Sequence, residues 1–177
     1  MIVLETDRLV LRELLPGDAP FILELLNEPS FLQYIGDRGV RTIDDAVHYI
    51  AAGPAESYAT NGFGLYLVER RADGEPLGMC GLLKRDTLPD VDLGFAYRPA
   101  HWGKGYALEA ALATIAYARE TLGLPWLAAI TSPDNEASMK LLARLGFAAE
   151  GLVRLTDDAD EVRLFGMQLQ PDPTMHA

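Results

Sequence analysis

The sequence predicts one domain of mixed α and β structure, and three observations carry that prediction. Its 177 residues suit one well-packed domain better than two. Hydrophobic residues make up 49% and charged ones 23%, a globular balance rather than a disordered one. Short alternating stretches interleave with stretches of helical period along the chain, with no internal repeat, low-complexity run or linker. Residues 1–177 are therefore read as a single domain, with a frayed tail over 171–177.

The elements follow in order. Residues 8–14 alternate polar and apolar and read as a strand, broken by Pro16-Gly17-Asp18. Asp18 is placed to cap a helix whose apolar positions are Phe21, Ile22, Leu25 and Leu26. Thr42 opens a second helix with Ala46, Tyr49 and Ile50 on one face, ending near Gly53-Pro54. Residues 65–68 form a strand, and Ala72-Asp73-Gly74 marks a tight hairpin into a strand over 76–84. Gly78 and Gly81 within that strand mark close packing or a bulge. A strand over 91–97 precedes a long helix over 104–122, with a stripe of Leu108, Ala111, Leu112, Ile115 and Ala118. Residues 125–131 form the next strand. A short helix over 135–145 buries Met139, Leu142 and Leu145 and ends at Gly146. Strands over 148–155 and 162–169 enclose an acidic turn, Asp157 to Glu161.

Composition excludes several functions. There are 26 acidic and 15 basic residues, a formal charge of −11. That disfavours nucleic acid and anionic membrane as partners, since both are bound through basic surfaces. It leaves open a cationic substrate, or a small anion held in one local pocket. Cys80 is alone, so no internal disulfide forms, and it reads as a small buried apolar side chain. His48, His101 and His176 have no metal-ligand spacing, so no metal is expected. The N-terminus carries acids where a signal peptide has basic residues, and no helix is long and apolar enough to span a bilayer. A cytoplasmic protein is expected.

The strongest chemical signal is Trp102-Gly103-Lys104-Gly105-Tyr106-Ala107, between a strand and a long helix. Glycines let a ligand approach the backbone, and the first helical turn presents unpaired N–H groups and the positive end of the dipole. Such a turn suits a pyrophosphate. A Walker loop fails because Gly105 follows Lys104, and the dinucleotide fingerprint fails because its third glycine is Leu108. By itself the turn is equally a tight entry into a helix. Asn135 and Ser138, at the start of the shorter helix, equally fit plain helix capping.

Taken together, these motifs resemble the GNAT superfamily of N-acetyltransferases, and most closely the branch containing the RimJ and RimL ribosomal-protein N-terminal acetyltransferases. The superfamily pattern Gln/Arg-x-x-Gly-x-Gly/Ala is matched at Gly105 and Ala107, with Trp102 at its first position. The run over 102–110, the opening Glu5-Thr-Asp-Arg-Leu-Val-Leu-Arg12, the pair Asn135 and Ser138, and Leu145-Gly146-Phe147 are typical of the branch.

The resemblance implies a mixed, mostly antiparallel sheet of six to seven strands, splayed in the middle and flanked by about four helices. It implies acetyl-CoA as cosubstrate, with its pyrophosphate on the backbone amides of Gly103, Lys104, Gly105, Tyr106 and Ala107. The pantetheine arm would pair with the strand backbone over 93–97, Phe95 and Tyr97 included, and Asn135 would bond it from the other side. A backbone N–H near Phe95, on a bulged strand, would stabilise the oxyanion. Many members carry a tyrosine seven residues after the asparagine; here that position is Leu142, and Ser138 is the substitute donor to the departing thiolate. Asp157 is placed ahead of Asp92 and Glu109 as general base. Arg98 and Lys104 are the candidate basic contacts of the cofactor. The acceptor would be a peptide N-terminus or a small amine, bound by the first two helices and the 53–62 loop, and the protein a monomer or homodimer. The alternative is a catalytically weak CoA-binding sensor or scaffold, motivated by the missing tyrosine.

Overall fold

In the computed structural model, which describes residues 1–171, eight strands form one open sheet. They are β1 (Ile2–Glu5), β2 (Leu9–Glu13), β3 (Leu65–Arg70), β4 (Pro76–Leu83), β5 (Asp92–Tyr97), β6 (Trp126–Thr131), β7 (Ala148–Val153) and β8 (Val162–Gln168). The helices are α1 (Ala19–Leu26), α2 (Pro29–Tyr34), α3 (Ile43–Ile50), α4 (Glu56–Asn61), α5 (Tyr106–Glu120) and α6 (Glu136–Leu145). The strand order is β1-β2-β3-β4-β5-β6-β8-β7. Every neighbouring pair is antiparallel except β5 and β6, which are parallel. The tail expected to fray lies, beyond residue 171, outside the described residues.

The mixed class and the central splay match the sequence reading, while the element count is larger. β1 is the eighth strand: its run Ile2-Val3-Leu4 is continuously apolar, so no alternation announces it, and it forms because β2 offers a partner edge. Helix α2 buries only Phe31 and carries too short a pattern to read. The second helix does not end at Gly53-Pro54. A wider turn over Ala51–Ala55 takes Pro54 inside and continues into α4, which stops at Gly62. A π-type turn tolerates the missing proline N–H that would break a regular α-helical ladder.

Two apolar clusters hold the sheet, one on each face. Leu9, Leu11, Leu77, Leu82, Leu93, Leu127 and their neighbours pack under α5 and α6. Leu67 and Met79 meet Phe21, Ile22, Leu25, Ala46 and Ile50 from α1 and α3. The α5 stripe is rotated from its expected position: Leu112 is 51% exposed, and Thr114 points inward instead, its hydroxyl donating to the Ala110 carbonyl at 2.8 Å. Close packing explains the strand glycines. A Cβ on Gly78 would lie 2.2 Å from the Ala96 carbonyl oxygen, and one on Gly81 2.1 Å from that of Gly64.

Candidate active site

β5 and β6 start together and then part. Asp92 stands opposite Ala128, whose N–H donates to the Val91 carbonyl at 2.9 Å, and no further residue pair joins the strands among the described residues. Beyond this vertex the strands open into a split. β5 pairs with β4 over six consecutive positions without a register shift, so the bulge implied by the resemblance is not present in that pairing. Regular alternation therefore applies: Val91 directs its backbone toward β6, and so do Phe95 and Tyr97. Both are thus aimed into the split. The Tyr97 carbonyl is already taken, accepting the Trp102 indole N–H at 2.9 Å. Trp102, 52% exposed, is thereby tied to the strand rather than directed at a ligand.

The split runs out at the turn between β5 and α5. Gly103 and Gly105 hold φ of +74° and +80°, the left-handed region that glycine adopts without strain. Among the described residues, the N–H groups of Gly103, Lys104, Gly105, Tyr106 and Ala107 donate to no backbone acceptor. They form a row of free donors at the positive end of a fifteen-residue helix. Glu109 does not face this row. Its carboxylate receives the Thr6 hydroxyl at 2.5 Å, the Arg8 backbone N–H at 3.0 Å and Arg8 Nε at 2.7 Å. Burial alone would raise its pKa, but these bonds hold it below the usual range. Glu109 is an anchor for the N-terminal strands. Arg98 points to α1 instead of the turn, 3.5 Å from Glu24 and 3.8 Å from Glu28, so it is not the basic contact expected at the phosphates. Burial, then the nearby Lys104 and Arg70 charges, push His101 down from its ordinary value.

Across the split, β6 leads into α6. Asn135 Oδ1 accepts the Ser138 N–H at 3.2 Å and caps the helix, which leaves its Nδ2 as the group able to face a ligand. Asn135 and Ser138 are both half-buried. Thr131, at the last position of β6, has a buried hydroxyl without a hydrogen-bond partner among the described residues. Gly146 ends α6 in the left-handed region, as expected.

Known proteins share this arrangement. Residues 8–148 match the acetyltransferase (GNAT) domain family. The chain belongs to the GNAT acetyltransferase family. An uncharacterized N-acetyltransferase of Bacillus subtilis, YoaA, is 31% identical over 153 residues, covering 86% of each chain. A crystal structure of an acetyltransferase from Agrobacterium tumefaciens superposes with a TM-score of 0.79 at 28% identity, covering 95% of each chain. RimL, a ribosomal L7/L12 α-N-protein acetyltransferase solved in complex with coenzyme A, shares the fold with a TM-score of 0.82 at 16% identity, covering 97% of this chain and all of that one.

GNAT acetyltransferases use acetyl-CoA, and the residues of this acetyltransferase fit it: a row of free amides for the pyrophosphate, and an orphaned Thr131 hydroxyl at the mouth of the split. Two candidate carboxylates remain. Asp92, at the vertex, is fully buried and paired with Arg85 at 3.0 Å. Burial raises its pKa, and Arg85 offsets this only in part. Asp157 stands exposed on the turn joining β7 and β8. On the α1–α3 face, a cavity of about 370 Å³ is lined by Arg38, Val40, Asp45, His48 and Tyr49 among others. Burial raises the Tyr49 hydroxyl pKa, and the Arg38 and Arg85 charges pull it back in part. Cys80 is wholly buried with its thiol pushed up to about 11, an inert core side chain. Among the described residues no helix is long and apolar enough to cross a membrane.

Sequence reasoning gave no role to Arg8, which meets the glycine turn before α5. It belongs to the opening motif, but its partner Glu109 lies 101 positions away, beyond any local spacing rule.

Proposed function

We propose that this acetyltransferase moves the acetyl group of acetyl-CoA directly to a primary amine, either a protein N-terminus or a small amine. The observation that carries the proposal is the split between β5 and β6, which runs from Asp92 to the free amides of residues 103–107. Bound there, acetyl-CoA supplies an activated thioester carbonyl. The amides of Gly103 to Ala107 hold the pyrophosphate, and the Phe95 and Tyr97 backbone pairs with the arm as an added strand would. The Phe95 N–H is the donor for charge developing on the carbonyl oxygen. Asn135 Nδ2 bonds the arm from the α6 side. The Ser138 hydroxyl, a poor acid, donates a hydrogen bond to the departing sulfur rather than a full proton.

An amine is mostly protonated near neutral pH, so a base must take its proton. Glu109 lies at the far end of the split, in the first turn of α5, turned toward Thr6 and Arg8 between β1 and β2. Asp157 lies on the hairpin that pairs beside Thr131, three residues, or about 10 Å, beyond the vertex along β6. Asp92 is at the vertex itself, its carboxylate paired with Arg85 at 3.0 Å. These placements support Asp92 over Asp157 as the base.

A second reading, a CoA-binding module without turnover, is favoured by Leu142 alone: it is buried in the core where many relatives place a tyrosine. A thiol-release assay with acetyl-CoA separates the two, using peptides of varied first residue beside a panel of small amines. Release that depends on one acceptor class is expected. CoA binding with no release on any acceptor would overturn the enzymatic reading in favour of the module.

A further inference from the structure

We infer that Arg8 is a positioning residue for the pyrophosphate of the cosubstrate, acting through the peptide between Lys104 and Gly105. The inference rests on the acetyl-CoA reading above and adds a residue that the glycine motif does not contain.

Arg8 sits at the turn between β1 and β2, and its side chain crosses to the N-terminus of α5. Its Nη1 donates to the Lys104 carbonyl at 2.9 Å. Its Nε donates to Glu109 at 2.7 Å, and its guanidinium carbon lies 4.6 Å from the centroid of the Tyr106 ring. A Cβ on Gly105 would lie 3.3 Å from Nη2. The guanidinium thus meets three consecutive residues of the turn, Lys104, Gly105 and Tyr106, while Glu109 fixes its other edge. Only a planar fork with several donors satisfies two acceptors and a ring face together; a lysine ammonium has neither the reach nor the plane.

The consequence lies on the opposite side of the peptide. The peptide bond between Lys104 and Gly105 is trans, so the Gly105 N–H points away from the Lys104 carbonyl. Drawing that carbonyl toward Arg8 turns the Gly105 N–H outward, into the row of free donors over 103–107. Without Arg8 the peptide between two left-handed glycines is free to rotate, and an amide must be ordered at the moment of binding. There is an electrostatic part as well. A bare Glu109 in the first turn of α5 would repel a bound diphosphate. Arg8 and Thr6 occupy both of its oxygens, and the Arg8 cation offsets its charge.

The test compares dissociation constants, by titration calorimetry, for CoA and for pantetheine, which shares the arm and lacks the pyrophosphate. In Arg8→Met, which keeps a chain over Tyr106 and removes the donors, CoA binding weakens about tenfold, corresponding to one oriented charge-assisted bond, while pantetheine binding stays within about twofold. Arg8→Lys behaves like Arg8→Met rather than like the wild type. A double variant adding Glu109→Gln is no weaker for CoA than Arg8→Met alone, because the two residues act as one unit. Equal weakening toward both ligands, or no weakening toward CoA, overturns the inference; should Arg8→Met fail to fold, Arg8→Lys is read by the same two outcomes. Failure of the wild type itself to bind CoA would instead overturn the acetyl-CoA reading on which the inference stands.

Discussion

Asp92 and Glu109 are both acids near the ends of the split, and their surroundings drive them in opposite directions. Burial dominates at Asp92 and raises its pKa; hydrogen bonds from Thr6 and Arg8 overcome burial at Glu109 and lower it. A base has to be deprotonated to act, so a raised pKa places the rising limb of the rate profile at a higher pH than an ordinary aspartate would. Asp92→Asn is expected to lower kcat about 100-fold and to abolish that limb, while Asp157→Asn changes kcat by less than about twofold. Steady-state rates across pH on both variants, with melting temperatures to confirm folding, check this. Loss of rate in Asp157→Asn alone would return the role to the hairpin. Of the features lining the candidate site, the turn at Gly103 and Gly105 and the cap at Asn135 and Ser138 were legible in the sequence because each is a local motif. Arg8 was not, because Glu109 lies 101 positions away and Lys104 96; the pairing of Asp92 with Arg85, seven positions apart, was not because no motif marks it.

At the scale of elements, local chemistry succeeded where a side chain reaches its own backbone and failed where it finds a distant partner. Thr42 caps α3 as expected: its hydroxyl accepts the Asp45 N–H at 3.1 Å, and the Asp45 carboxylate accepts the Thr42 N–H at 3.1 Å. Thr42→Ala should cost about 1 kcal/mol in urea unfolding, with the m-value unchanged. A loss below about 0.3 kcal/mol would mean that packing against α1 alone holds the helix. Asp18 has an equally suitable place before α1 but makes no cap bond. Its carboxylate accepts from the Leu15 N–H at 2.8 Å and from Arg12 at 2.8 and 2.9 Å instead. The Arg12 guanidinium and the Leu15 amide together take both carboxylate oxygens, leaving Asp18 turned away from the first turn of α1. The π turn at Pro54 follows the same logic: packing of α3 and α4 as one unit overrides a local breaker.

Over the whole molecule, the acidic balance sets how stability responds to pH. Asp18 and Glu109 are both partly buried, which alone would raise their pKa values, yet their hydrogen bonds, mainly from Arg12 in one case and from Thr6 and Arg8 in the other, lower them in the folded state. A folded pKa below the unfolded one means that the unfolded chain binds more protons. The stabilisation is therefore present above the ordinary carboxylate values, near 4, and is lost as pH falls through the folded ones. The melting temperature should be level near neutral pH and fall steadily below about pH 4, less so in Glu109→Gln. A profile level to pH 3 would remove these carboxylates from the account. The charge of −11 has a further meaning beside the free amides of residues 103–107. Under the proposed function, local backbone donors would hold the anionic cosubstrate, leaving the wider negative field to attract a cationic acceptor.

The sequence by itself determined the mixed class, seven of the eight strands, the glycine turn and the Asn135–Ser138 cap, because periodicity and capping are properties of neighbours in the chain. Tertiary structure decided the rest. It placed β1 beside β2, parted β5 from β6 beyond Asp92, turned Arg98 to α1, and brought Arg8 to the Lys104 carbonyl. Apart from the β1–β2 hairpin, whose apolar run shows no alternation, these features depend on residues far apart in the chain, which only packing on the two faces of the sheet arranges.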